Sequence, residues 1–186
     1  MKTALLLVDI QQDYFPNGKM EVVGAVEASQ AAGRLLDHFR KKDLPIVHIQ
    51  HIAARPNATF LLPDTEGINF HESVKPLPGE VVIEKHFPNS FRDTGLQEYL
   101  RSRDIKELVI CGMMSHMCID TTTRAAFDLG YACTVAHDAC ATRNLKFNAI
   151  DIPAQQVHGS YMAALGAVFA KVSSAEEIIG MLREQV

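Results

Sequence analysis

Short apolar runs alternate along this chain with longer stretches in which apolar residues recur every three or four positions. Residues 5–8, 45–50, 80–84, 108–111 and 132–136 are the short runs, mostly rich in Val, Ile and Leu. Runs of that length without polar alternation predict strands buried on both faces, as in the middle of a parallel sheet. Residues 25–42 predict a helix with Ala28, Ala31, Ala32, Leu35, Leu36 and Phe39 on one face. A second helix is predicted over 94–103, opened by a capping box of Thr94 and Gln97. A third is predicted over 119–129, with Ala125, Ala126 and Leu129 at helical spacing. Residues 155–170 predict a fourth, with Val157, Tyr161, Ala164, Leu165 and Val168 inward, and a Ser174–Glu177 box starts the last.

This strand–helix alternation predicts a three-layer α/β/α fold within a single domain, residues 1–186, with a mainly parallel, doubly wound sheet. One interval breaks the rhythm. Residues 51–79 hold Arg55, Pro56, Asn57, Pro63, Asp64, Gly67, Pro76 and Pro78 but no periodic pattern. A loop of that length in a compact domain predicts a lid, a substrate wall or an oligomer contact.

Composition narrows the function class. Hydrophobic residues make up 47% and charged residues 22% of the 186 positions, which suits an ordinary globular domain. The formal net charge of −4 speaks against nucleic-acid and anionic-membrane partners. The apolar run at the amino terminus is short and ends in Asp9, so it predicts a core strand rather than a signal peptide. No run approaches membrane-spanning length. Cys111, Cys118, Cys133 and Cys140 form no CxxC and no zinc-type pairing with histidine. Free thiols of that kind predict a reducing compartment, the cytoplasm.

Ligands in open α/β sheets bind beyond the carboxyl ends of the strands. Asp9 ends the first predicted strand, Lys85 ends the third, and Cys118 lies where a helix begins after the fourth, past Gly112 and its predicted sharp turn. An acid, a base and a nucleophile would therefore converge on one edge. Unpaired amides and the helix dipole at that position favour a thiolate and an oxyanion. A nearby carboxylate can take the thiol proton, and a cation lowers its pKa. Each residue has a plainer reading: a buried thiol, a turn-capping acid, a solvated edge charge.

Several segments together carry a resemblance. They are Leu7-Val-Asp9-Ile-Gln11-Gln-Asp13-Tyr-Phe15, Glu84-Lys85-His-Phe-Pro-Asn-Ser90-Phe91, Gly112-Met-Met-Ser-His-Met-Cys118, Thr122-Thr-Arg124-Ala125 with Gly130-Tyr131, and Asp138-Ala-Cys140. In order and spacing the chain resembles the isochorismatase-like cysteine hydrolases, which include nicotinamidases and N-carbamoylsarcosine amidases. The resemblance implies a catalytic Asp9–Lys85–Cys118 triad that cleaves a small amide or related C–N bond through a thioester on Cys118. It further implies a cis peptide at Met113–Met114, an oxyanion hole from the amides of Met114 and Cys118, no cofactor, and a homo-oligomer, dimer or tetramer.

Two departures sharpen the expectation. Members that cleave a vinyl ether generally lack the nucleophilic cysteine, so Cys118 points to C–N hydrolysis of a small-molecule substrate. Nicotinamidases carry a metal site on an Asp-x-His motif, whereas this chain reads His48-Ile-Gln-His51-Ile-Ala-Ala-Arg55 there. No metal is therefore expected. Gln11, Phe15, Phe91 and His116 are candidate pocket residues, the two phenylalanines as apolar walls and His116 as a substrate contact or a backbone partner. Asp13 fits an ordering role in its loop, and Arg124 an internal ion pair. The competing readings are a metal-dependent nicotinamidase and a non-catalytic binding protein that retains the fold.

Overall fold

The computed structural model describes residues 2–184. Six parallel strands form its sheet: β1 (Lys2–Val8), β2 (Ile46–His51), β3 (Val81–Lys85), β4 (Ile105–Met113), β5 (Ala132–Ala141) and β8 (Lys171–Ser173). Their spatial order is β3-β2-β1-β4-β5-β8. The chain thus steps outward from β1 to β3, then returns to the other side of β1. That reversal is the switch point at which α/β sheets open a crevice. With the right-handed crossovers that parallel strands take, this strand order puts helix α1 (Ala25–Lys41) on one face and α2 (Leu96–Ser102), α3 (Asp120–Asp128) and α4 (Ala154–Val168) on the other, and α3 packs beside α4. The last helix, α5 (Ala175–Glu184), packs beside α1, which completes three layers.

Burial explains why these segments became these elements. Ala4 to Val8 of β1 are all buried, since the strand lies between β2 and β4 with helices above and below. On α1 the predicted stripe is the buried one, and its three alanines, with Ala25 before them, keep the face against the sheet small. Several segments depart from the sequence pattern. Strand β5 runs to Ala141 rather than stopping at 136, and its pairing with β4 skips from Ile110–Val135 to Gly112–Cys140. Polar His137 and Asp138 fall in that irregularity, which is why the apolar run ends early. A hairpin of β6 (Leu145–Phe147) and β7 (Ile150–Ile152), and β8 itself, are three-residue strands too short to leave a period. Helix α2 begins at Leu96 behind Gly95, and Thr94 turns its hydroxyl back to the Ser90 carbonyl at 2.6 Å instead of forming the capping box.

Helix α4 departs most in packing. Val157, Met162 and Leu165 are buried, whereas Ala164 is exposed and Val168 is 63% exposed. The helix contains no Asp, Glu, Lys or Arg, and beyond the exposed Gln155, Gln156 and Ser160 its second half is apolar on every side, so the sequence does not mark the outside there.

Gly112 does not form a turn after β4. It lies inside that strand with φ near +128°, opposite Val8, where a Cβ would overlap the Val8 carbonyl. Gly112→Ala is expected to destabilise the fold by about 4 kcal/mol or more. Gly130→Ala has positive φ but open space around it, and is expected to cost only about 1 kcal/mol. Urea denaturation of the two variants beside the wild type measures the contrast.

Candidate active site

Asp9, Lys85 and Cys118 reach one point from three segments. Asp9 follows β1 in the left-handed region, with φ near 52°, a conformation that aspartate tolerates better than most residues. Its amide donates to the Ile49 carbonyl at 3.1 Å, which ties the end of β1 to β2. Lys85 ends β3, two strands away from β1, and only a long side chain can cross the intervening β2. Cys118 sits in a single π-helical turn, Ser115–Ile119, between β4 and α3. The Met113–Met114 peptide just before that turn is cis.

The Lys85 ammonium is the hub. Its Nζ lies 2.7 Å from Asp9 Oδ2, 2.9 Å from His51 Nδ1, 3.1 Å from the Phe87 carbonyl and 3.2 Å from Cys118 Sγ. Four acceptors thus compete for three N–H bonds. Asp9, Lys85 and Cys118 are at most 5% exposed. Apart from the Lys85 contact, the Asp9 carboxylate receives no hydrogen bond from an N–H among the described residues.

Burial governs the protonation states. It pushes the Cys118 thiol above its ordinary range, the Asp9 carboxylate adds to that, and Lys85 only partly opposes them. The helix-start thiolate expected from the sequence is therefore not the resting state: desolvation of a fully enclosed sulfur outweighs the helix terminus. Burial presses Lys85 down, but Asp9 and Cys118 more than restore it, so its ammonium holds its proton above the usual lysine range. His51 falls to about 4, chiefly through burial, with Lys85 assisting and Asp9 opposing. The imidazole is thus neutral at pH 7. Because an ammonium has no lone pair, Nδ1 accepts from Lys85 and the ring proton resides on Nε2.

A cleft of about 100 Å³ opens above Cys118. Tyr14, Phe60, Phe87, Pro88, Met114 and Met117 supply its apolar lining, and His51, Arg55 and His86 its nitrogen groups. Gln11, Phe15, Phe91 and His116 are not among the lining residues. Gln11 is fully buried, donates to the His51 and Ile68 carbonyls, and accepts from the His51 amide, so it clamps the long loop to β2. Phe15 stacks on His71 at 3.8 Å, and Phe91 on Tyr131 at 6.0 Å. His116 turns to Thr142 Oγ1 at 2.5 Å, behind the nucleophile turn. Asp13 accepts from the amides of Lys19 and Leu61, the loop-ordering role expected of it. Arg124 pairs with Asp120 within α3.

The sequence reading passed over Tyr14, Arg55, Phe60, Phe87 and Met117 as cleft residues. A signal existed for four of them: Tyr14, Arg55, Phe87 and Met117 each lie within six residues beyond a strand end, where the carboxyl-edge rule applies. His48 and His51 do not face one another as a metal pair would: His48 meets Glu80 at 2.9 Å while His51 meets Lys85. Asp9, His51 and Cys118 do bring three donor atoms within 4.8 Å of one another, a spacing that could hold a metal ion. The Lys85 ammonium already bonds to that donor set, so an entering cation would meet its charge at close range.

A doubly wound sheet carrying a buried carboxylate, ammonium and thiol under a small cleft at its switch point has the layout of an α/β enzyme whose ligand enters at the carboxyl ends of the strands. The isochorismatase domain model matches residues 3–177. The isochorismatase family protein YddQ of Bacillus subtilis is 51% identical over 96% of this chain and 99% of its own length. A streptothricin hydrolase of Streptomyces noursei is 34% identical over 94% of this chain and 60% of its own. A crystal structure from Oleispira antarctica, assigned to the isochorismatase hydrolases, superposes with a TM-score of 0.92 at 50% identity, covering 96% of each chain. The chain belongs to the isochorismatase family of hydrolases.

The depressed His51 has a consequence for stability. Its folded pKa lies below the ordinary 6.5, so folding favours the neutral ring. That contribution is complete above pH 6.5 and is lost as pH falls through about 4. His51→Asn keeps an acceptor near Nδ1 and removes the titration. The stability gap between wild type and variant is expected to narrow by up to about 3 kcal/mol between pH 7 and pH 4. Denaturant midpoints across that range measure it.

Proposed function

We propose that the protein hydrolyses a small-molecule amide or related C–N bond through a thioester on Cys118. The observation that carries this reading is Lys85 Nζ at 2.7 Å from Asp9 and 3.2 Å from Cys118, all three buried. Asp9 takes the thiol proton as Sγ attacks the substrate carbonyl. The negative charge then moves from Asp9 to sulfur and on to the carbonyl oxygen, while Lys85 remains the counter-cation. One ion pair is exchanged for another, so the enclosed site never acquires net charge, which low dielectric would penalise by several kcal/mol.

The backbone amides of Met114 and Cys118 are assigned to the developing oxyanion. Protonated Asp9 gives its proton to the departing nitrogen as the C–N bond breaks. Water then attacks the thioester, Asp9 accepts a proton from it, and the acid leaves with Sγ regenerated. The products are a carboxylic acid and an amine or ammonia. Metal-dependent nicotinamidase chemistry is disfavoured because the ammonium engages the available donor set. A purely binding role is disfavoured because burying three ionisable groups is costly and serves no packing purpose.

Two further elements belong to the proposal. Four buried free thiols fit a reducing compartment such as the cytoplasm. Among the described residues no helix is long and apolar enough to cross a membrane. A homo-oligomer, dimer or tetramer, is favoured by the uncharged exposed face of α4 and by Phe147 and Ile150, which are 67% and 64% exposed on the neighbouring hairpin.

Intact-protein mass spectrometry with a panel of small amides tests the chemistry. An acyl adduct on Cys118 is expected, absent in Cys118→Ala. Asp9→Asn and Lys85→Met are each expected to lower turnover by about a thousandfold or more, and the double variant by little beyond either. Acylation on another residue, or full activity without Cys118, would overturn the proposal. Light scattering should give a mass at least twice that of one chain, reduced by Ala163→Glu. A wild-type mass of one chain would remove the oligomer from the reading.

A further inference from the structure

The cleft has a charge pattern unlike the rest of the molecule. Its lining contains one arginine, Arg55, and no aspartate or glutamate, in a chain whose formal net charge is −4. Beneath the lining, the Asp9–Lys85 pair sums to zero. Arg55 has no ion pair and no side-chain hydrogen bond among the described residues. Arg40 and Arg124, by contrast, are each held by a carboxylate at 2.9 Å or less. Its field nevertheless reaches the site, since Arg55 is one of the groups that disfavour a proton on His51.

The layout is ordered from floor to rim. Cys118 is 5% exposed at the floor, Tyr14, Phe60 and Phe87 form the walls, and Arg55 is exposed to solvent. A molecule placed with its scissile carbonyl at Sγ therefore meets apolar surface next and a free guanidinium last. We propose that the substrate is a short, two-headed amide whose second head is an anion, a carboxylate by size, bound by Arg55. This assignment rests on the Cys118 hydrolase reading above and names the substrate class of that same site. Guanidinium suits the task because its fork matches a carboxylate bidentately. The volume of about 100 Å³ limits the spacer to a few carbons, well below the 300 Å³ or so at which drug-sized sites begin. The chain's negative charge repels such a molecule from most of the surface, so a positive mouth also sets the approach.

The test needs no knowledge of the natural substrate. Iodoacetate and iodoacetamide differ only by carboxylate against carboxamide, and Cys118 Sγ displaces iodide from either as Asp9 takes the thiol proton, forming a thioether. The rate ratio of the two at Cys118, read by peptide mapping, reports the preference for an anion. In Arg55→Gln the iodoacetate-to-iodoacetamide ratio is expected to fall roughly threefold to tenfold, with the iodoacetamide rate held within about twofold. Arg55→Lys should retain most of the ratio, and about 0.5 M NaCl should lower it in the wild type but not in Arg55→Gln. An unchanged ratio in Arg55→Gln, with Cys118 still alkylated by iodoacetamide, overturns the anion assignment and leaves the nucleophile standing. Failure of both reagents to modify Cys118 in the wild type would sink the nucleophile reading, and this assignment with it.

Discussion

The buried Asp9–Lys85 contact, 2.7 Å long with neither side chain exposed to water, is the constraint on which the rest of the structure depends. Each charge alone would cost several kcal/mol in that position, so neither can be present without the other. Their pairing also fixes three strand ends relative to one another, because Asp9 follows β1, Lys85 ends β3 and His51 ends the β2 strand between them. Cys118 adds a third ionisable group but no charge at rest, since burial and Asp9 keep its proton in place. The cluster is thus neutral overall while holding a full positive charge within 3.2 Å of the sulfur.

The backbone around the cluster is arranged to make that contact possible. Close approach of β4 to β1 needs the missing side chain at Gly112, because Val8, one residue before Asp9, has its carbonyl where a Cβ would be. Behind the nucleophile turn, Ser115 Oγ meets His158 Nδ1 at 2.8 Å and His116 meets Thr142, so α4 and the segment after β5 brace it from two directions. The turn is therefore held by polar contacts on the side away from the cleft. That leaves Met114, Met117 and Cys118 to form the surface a ligand would meet.

Sequence pattern carried the sheet further than it carried the site. The five longer strands were legible because each contains an apolar run: β1, β2 and the centre of β4 are buried on both faces, whereas edge strand β3 exposes Val82 and Glu84 and was legible from its valines and isoleucine alone. Strand β8 and the β6–β7 hairpin were not, since three residues cannot display a period. The α4 register departs from the pattern because the second half of the helix is apolar all round and gives no contrast between its faces. For the site, Asp9, Lys85 and Cys118 were legible from strand ends and motif spacing, and the structure brings them together. Gln11, Phe15, Phe91 and His116 were placed near the site by sequence proximity alone. Neighbours along an irregular segment diverge in direction, and each of these side chains turns to a partner of its own. Phe60 was hidden for the converse reason, as it lies deep in a long loop whose path depends on contacts no local pattern records, whereas Arg55 stands only four residues past β2.

Those contacts show why the loop and the base form one unit. Between Asp9 and Phe15, Gln11 binds the Ile68 carbonyl, Asp13 binds the Leu61 amide and Tyr14 enters the cleft wall. Tyr14 also lies at a tilted 6.0 Å from Phe60. The segment that delivers the carboxylate therefore also anchors the loop that carries Arg55, Phe60 and Leu61. A change of loop sequence can alter what stands at the rim while Gln11 and Asp13 still hold its base, because their bonds are to backbone atoms rather than to particular side chains. Chemistry at the floor is set by strand ends, which tolerate little change. Recognition at the rim is set by side chains on a loop fastened through its backbone, and these are free to vary without disturbing the buried ion pair.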